Sequence, residues 1–103
     1  MSELRIPVER LRAVVDLLMR RIAETAGDSV SLEQDYFWSI SPDSLYNVYE
    51  EPGELGVGQL SESWQHLESL LKDESDAAIP YHLVWLADII RAIGHEQTRK
   101  PHA

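Results

Sequence analysis

The groups in this chain that could move a proton or hold a metal are four histidines, His66, His82, His95 and His102, and eighteen carboxylates. A zinc site needs ligands that converge, and no HExxH or HxxxH spacing puts two of these histidines on one helical face. Cysteine is absent, so thiolate ligands and thiol nucleophiles are excluded, and no metal or other cofactor is expected. His66 reads as solvent-facing, whereas His82 opens an apolar run. The ordinary role for His82 is a partly buried hydrogen bond; with Asp88 or a glutamate nearby it could also act as a base. Carboxylate pairs such as Glu50-Glu51 and Asp73-Glu74-Ser75-Asp76 are abundant, but carboxylate catalysis needs two groups in unlike environments, and nothing marks any of these as buried. The second run lacks the glycine and terminal glutamate of a calcium loop. Gly53, Gly56 and Gly58 precede a helix without phosphate-loop spacing or a following Lys-Ser/Thr. No catalytic residue is assigned, and the chemistry favours a non-enzymatic role.

The densest cluster of functional side chains is aromatic. Tyr36, Phe37, Trp38, Tyr46 and Tyr49, five of the eight aromatic residues, fall within fourteen positions, interleaved with Asp35, Asp43, Glu50 and Glu51. On an irregular segment, large amphipathic rings beside charge suit a binding surface: the rings supply contact energy and the charge guides encounter. The candidate partner-binding residues are Asp35, Tyr36, Trp38, Asp43, Tyr46, Tyr49, Glu50 and Glu51. Two other uses suit the same rings, a lid over a small helical core and an aromatic cage for a cation. A pocket between this segment and the C-terminal helix, with Trp38, His82 and Trp85 at its wall, would instead suit a small-molecule binder or an enzyme.

Three helices must position these residues. From Pro7 to Ala26 the apolar residues Val8, Leu11, Val15, Leu18 and Ile22 recur at helical spacing, with Pro7 in the first turn and Gly27 as the stop. The polar face of this helix offers Arg12 to Asp16 and Asp16 to Arg20 as pairs four apart. From Val57 to Lys72 the residues Val57, Leu60, Trp64, Leu67 and Leu71 form a second stripe. The third helix, from Ile79 to Gly94, has Pro80 in its first turn and Gly94 as its expected stop. It is apolar nearly all round, broken only by His82, Asp88 and Arg91, and so reads as the central helix of the fold. Asp88 and Arg91, three apart, can meet on one edge. Ser41-Pro42 has the form of a short helix start, and residues 29–40 suit either one short strand or a helical turn. The expectation is a mainly α protein. Its three main helices form one bundled domain over residues 1–94, closed by the irregular aromatic segment, with a disordered tail over 95–103.

The net charge of −9 is uneven: residues 33–76 hold eleven acidic side chains against Lys72 alone. That block repels nucleic acid and anionic membranes and favours a basic protein partner. The apolar run from Ile79 is too short, and too interrupted by charge, to cross a bilayer, and Met1 to Arg5 lacks the apolar run of a secretory signal, so the expected location is cytoplasmic. Surplus apolar surface on the third helix would suit a homodimer or a structural homo-oligomer.

Four phrases carry a resemblance: Tyr36-Phe37-Trp38-Ser39-Ile40, Tyr46-Asn47-Val48-Tyr49-Glu50-Glu51-Pro52, Gly58-Gln59-Leu60-Ser61 with Trp64, and Tyr81-His82-Leu83-Val84-Trp85-Leu86. Over residues 6–94 the chain resembles a family of small uncharacterised bacterial proteins, which implies a bacterial origin and no catalytic activity. At the level of pattern, Asp43-Ser44-Leu45-Tyr46-Asn47-Val48-Tyr49 is similar to the toxin-binding Asp-Leu-Ile-Tyr-Tyr-Pro segment of the colicin DNase immunity proteins, with the two tyrosines here separated. This resemblance implies an acidic antitoxin or immunity-type inhibitor.

Overall fold

A computed structural model describes residues 3–99. The chain divides into two compact units, 1–31 and 32–103. The first is built on one helix, α1 (Val8–Ala26). The Pro7 carbonyl accepts from the Arg10 and Leu11 amides at 3.1 Å, and Gly27 ends the helix at φ 81°, a left-handed conformation suited to glycine, with its amide on the Ala23 carbonyl at 2.9 Å. Asp16 pairs with Arg20 at 3.5 Å as the spacing suggests, but Arg12 turns back to Glu9 at 3.2 Å.

The second unit holds strand β1 (Tyr36–Ser39), the short helix α2 (Pro42–Tyr46), strand β2 (Gly56–Gln59), helix α3 (Leu60–Lys72), a 3-10 turn (Glu74–Asp76) and helix α4 (Ile79–Arg99). Among the described residues the chain is mainly α, with one two-stranded antiparallel ribbon. Of the two options left open for residues 29–40, a short strand or a helical turn, the structure has a strand, β1, at Tyr36–Ser39, and its partner β2 takes Val57, which the sequence assigned to the following helix. The register pairs Tyr36 with Gln59, Phe37 with Gly58, Trp38 with Val57 and Ser39 with Gly56. A Cβ at Gly58 would lie inside contact distance of three carbons at the far end of the Phe37 ring, so the ring would have to shift to admit it.

Ser41 caps α2, its hydroxyl accepting from the Ser44 amide at 3.4 Å, with Pro42 in the first turn. Helices α3 and α4 run antiparallel, because Ser63 meets Asp88 and, one turn on, His66 meets Trp85. Leu60 and Ser63 of α3 and Ala92 and Glu96 of α4 are the buried residues here, so the core is small and half polar.

Two expectations about α4 are corrected. Within this unit Leu83, Val84, Leu86 and Ile90 remain exposed, since a single neighbouring helix and a short ribbon cannot cover every face of an apolar helix. Leu71 of the α3 stripe is exposed for the same reason. Gly94 does not stop α4, which runs five residues further to Arg99. The reason is visible in the side chains: Glu96 is buried and bonded to Arg99 at 3.2 Å, and Arg99 also lies 3.6 Å from Glu33. The expected tail from His95 is therefore helical as far as Arg99, and its remaining positions, His102 among them, lie outside the described residues.

Candidate functional site

The acidic aromatic segment leaves the ribbon at Ser39, passes through α2 and returns at Gly56. Asp35, at its root, is half-buried and bonded to the start of α3. Its backbone carbonyl accepts from the Leu60 amide at 2.7 Å, and its carboxylate accepts from the Ser61 amide at 2.7 Å, the Ser61 hydroxyl at 3.0 Å and the Gln59 side chain at 3.4 Å. Asp35 thus supplies the N-terminal cap that Gln59, next to α3 in sequence, does not. Among the eight partner-binding candidates, and among the described residues, it is the one whose side chain hydrogen-bonds within the protein. A cap donated from twenty-six positions away leaves no local signature, so sequence patterns missed it.

The remaining candidates lie at the surface. Tyr36, Trp38, Tyr46 and Tyr49 are 64%, 70%, 81% and 94% exposed, and Asp43, Glu50 and Glu51 are exposed beside them. The Tyr49 amide donates to the Asn47 side-chain oxygen at 3.3 Å, a local turn that shapes the chain without covering the ring. Phe37 faces the other way and is half-buried over Gly58. Strand alternation separates Phe37 from Tyr36 and Trp38.

Beside this surface lies a cavity of about 420 Å³, bounded by Phe37, Trp38, Ser39, Ile40, Pro42, Leu45 and Tyr46 on one side and by Leu83, Val84, Ala87, Asp88 and Arg91 of α4 on the other. Of the three residues expected at a pocket, Trp38 is in the wall, but His82 and Trp85 are not. The helical period turns them to another face of α4, where the Trp85 ring stacks on His66 at 3.8 Å and meets His82 edge-on at 5.0 Å. His66 is thus exposed, as expected, yet engaged through one ring face. His82 Nδ1 lies 3.1 Å from the backbone nitrogen of Ala78, a contact at the start of α4.

In place of a histidine the cavity has Asp88. Its carboxylate accepts from the Ser63 hydroxyl at 3.3 Å, and Arg91 stands 3.9 Å away. Burial raises its pKa above the ordinary carboxylate value, opposed in part by the Ser63 bond and the Arg91 charge. Asp73, at the end of α3, moves the other way: its carboxylate accepts from the Ser75 hydroxyl at 2.6 Å and the Ser75 amide at 3.0 Å, which lowers its pKa. Among the described residues no group of three histidine or carboxylate side chains is placed to hold a metal ion, and no helix is long and apolar enough to cross a membrane.

No protein-family model, no curated protein and no solved structure matches the chain.

Proposed function

We propose that the protein is a non-enzymatic interaction module of the bacterial cytoplasm whose acidic aromatic segment, about residues 35–54, binds a basic partner protein. The observation that supports this most is the outward placement of Trp38, Tyr46 and Tyr49 beside Asp43, Glu50 and Glu51. A ring that closed a core would be covered; these rings leave large amphipathic surfaces next to charge, the composition of an interface anchor. An antitoxin or immunity-type inhibitor is the form that the acidic charge and the spaced tyrosines favour. The three-helix bundle inferred from the sequence is part of the same proposal.

The test is affinity capture from extracts of the source cell at low and at moderate salt, followed by reconstitution with the purified captured protein. A basic protein that binds the reconstituted wild type and is released as salt rises supports the reading. A partner that is acidic, or indifferent to salt, contradicts it.

A second reading rests on α4. Leu83, Val84, Leu86 and Ile90 are left exposed within its own unit, which suits self-association through the surplus apolar surface of that helix. Sizing the purified protein decides between a homo-oligomer and a single chain.

A further inference from the structure

The ribbon leaves strand edges unpaired, and its hydrogen-bond phase fixes what the β1 edge displays. The Leu60 amide donates to the Asp35 carbonyl at 2.7 Å, so Asp35 and Leu60 form a hydrogen-bonded pair at the end of the antiparallel ladder. Such pairs alternate along a ladder. With the observed register, Phe37 and Ser39 therefore bond across to β2, while the N–H and C=O groups of Tyr36 and Trp38 point away from it. No further strand adjoins β1, and among the described residues no backbone hydrogen bond from elsewhere reaches Tyr36 or Trp38. Both residues are exposed.

Unpaired edges in natural sheets are blunted by charge, proline or a bulge. β1 has none of these: Tyr36–Ser39 carries no charge and no proline, and its register with β2 advances without a bulge. The outer edge of β2 is the poorer template, because Gly56 and Gly58 are weak strand formers.

The β1 edge is also complementary to itself. In antiparallel pairing about a twofold axis at Phe37, Tyr36 of one copy would stand opposite Trp38 of the second copy, and each such pair would exchange both of its backbone hydrogen bonds. Tyr36 and Trp38 share one face of the strand, so the same pairing would set tyrosine against tryptophan twice across the new junction. Asp35 would fall opposite Ser39 and meet no like charge, and its carboxylate is already bonded to Ser61.

We propose that β1 is a self-association edge: two copies of the chain pair through Tyr36–Ser39 and join their ribbons into one continuous antiparallel sheet. This goes beyond the basic-partner reading and uses a different surface from the exposed face of α4.

The test uses the full chain at moderate salt, where the repulsion between two chains of charge −9 is screened. Sedimentation velocity up to about 1 mM should show a reversible dimer. On nitrogen-15-labelled protein, the Tyr36 and Trp38 amides should exchange at least about tenfold more slowly where the dimer predominates than on dilution, as expected for groups that gain a hydrogen bond there. Trp38→Pro removes an N–H that pairing with β2 does not use, whereas Trp38→Val keeps it, so the proline variant should dimerise at least about tenfold more weakly than the valine variant. A single chain at every concentration overturns the proposal. So does a dimer in which exchange at Tyr36 and Trp38 is independent of concentration, as association through α4 would give, or equal dimerisation of the two variants. The exchange comparison is made on the wild type, so it decides the matter whatever Trp38→Pro does to folding.

Discussion

Replacing Asp35 by alanine should destabilise the protein through α3, not through any lost surface contact. The carboxylate makes a short bond to the Ser61 amide, a second to the Ser61 hydroxyl and a long one to Gln59, and it places negative charge at a helix N-terminus. Loss of a side-chain N-cap costs about 0.5–2 kcal/mol, and loss of a favourable charge at a helix end costs about 0.3–1 kcal/mol more. The two effects share one carboxylate, so they are not summed in full, and about 2 kcal/mol is expected. For a domain of this size that lowers the melting temperature by roughly 8–16 °C. Asp35→Asn keeps an acceptor and loses the charge, so it should fall between wild type and alanine. Urea unfolding followed by far-ultraviolet circular dichroism measures the difference, with the slope unchanged if only stability moves. A loss below about 0.5 kcal/mol for Asp35→Ala would refute the capping role and return Asp35 to the partner-binding surface.

Gly58→Ala should destabilise by about 1–3 kcal/mol, because its methyl group would meet the Phe37 ring; Phe37→Leu in the same background should recover part of the loss in thermal unfolding. Gly94→Ala should stabilise by about 0.5–1 kcal/mol, since the position is inside α4 and nothing outside the helix approaches an added Cβ; a loss of stability in urea would mean that the helix ends there after all. Asp88 has a folded pKa raised above its ordinary 3.8, so the folded state holds more protons than the unfolded state just above that pH. Its contribution to stability therefore falls as pH rises through that window, and urea midpoints of Asp88→Asn should decline less across it than those of wild type.

The helices were legible because each carries local punctuation and period. Pro7 and Gly27 bound α1, Ser41 and Pro42 start α2, and Pro80 is in the first turn of α4. The errors lie where long-range contacts override local preference. Gly94 has a glycine's poor helix propensity, but the burial of Glu96 and the contact of Arg99 with Glu33 favour continuing the helix. Val57 fits the stripe of α3 in period, yet pairing with Trp38 places it in a strand. The acidic aromatic segment could be found from composition alone. The inward use of Asp35 and the replacement of His82 and Trp85 by Asp88 in the cavity wall depend on partners far apart in sequence, and no local pattern encodes them.

The most direct measurement is the affinity of the purified basic partner for wild-type protein, Tyr46→Ala and Tyr49→Ala, with unfolding measured on the same samples. Both rings are exposed, so each variant should keep its stability within about 1 kcal/mol while binding the partner at least about fivefold more weakly. Wild-type affinity in both variants, or unfolding of both, would contradict the assignment of this segment as the partner-binding surface.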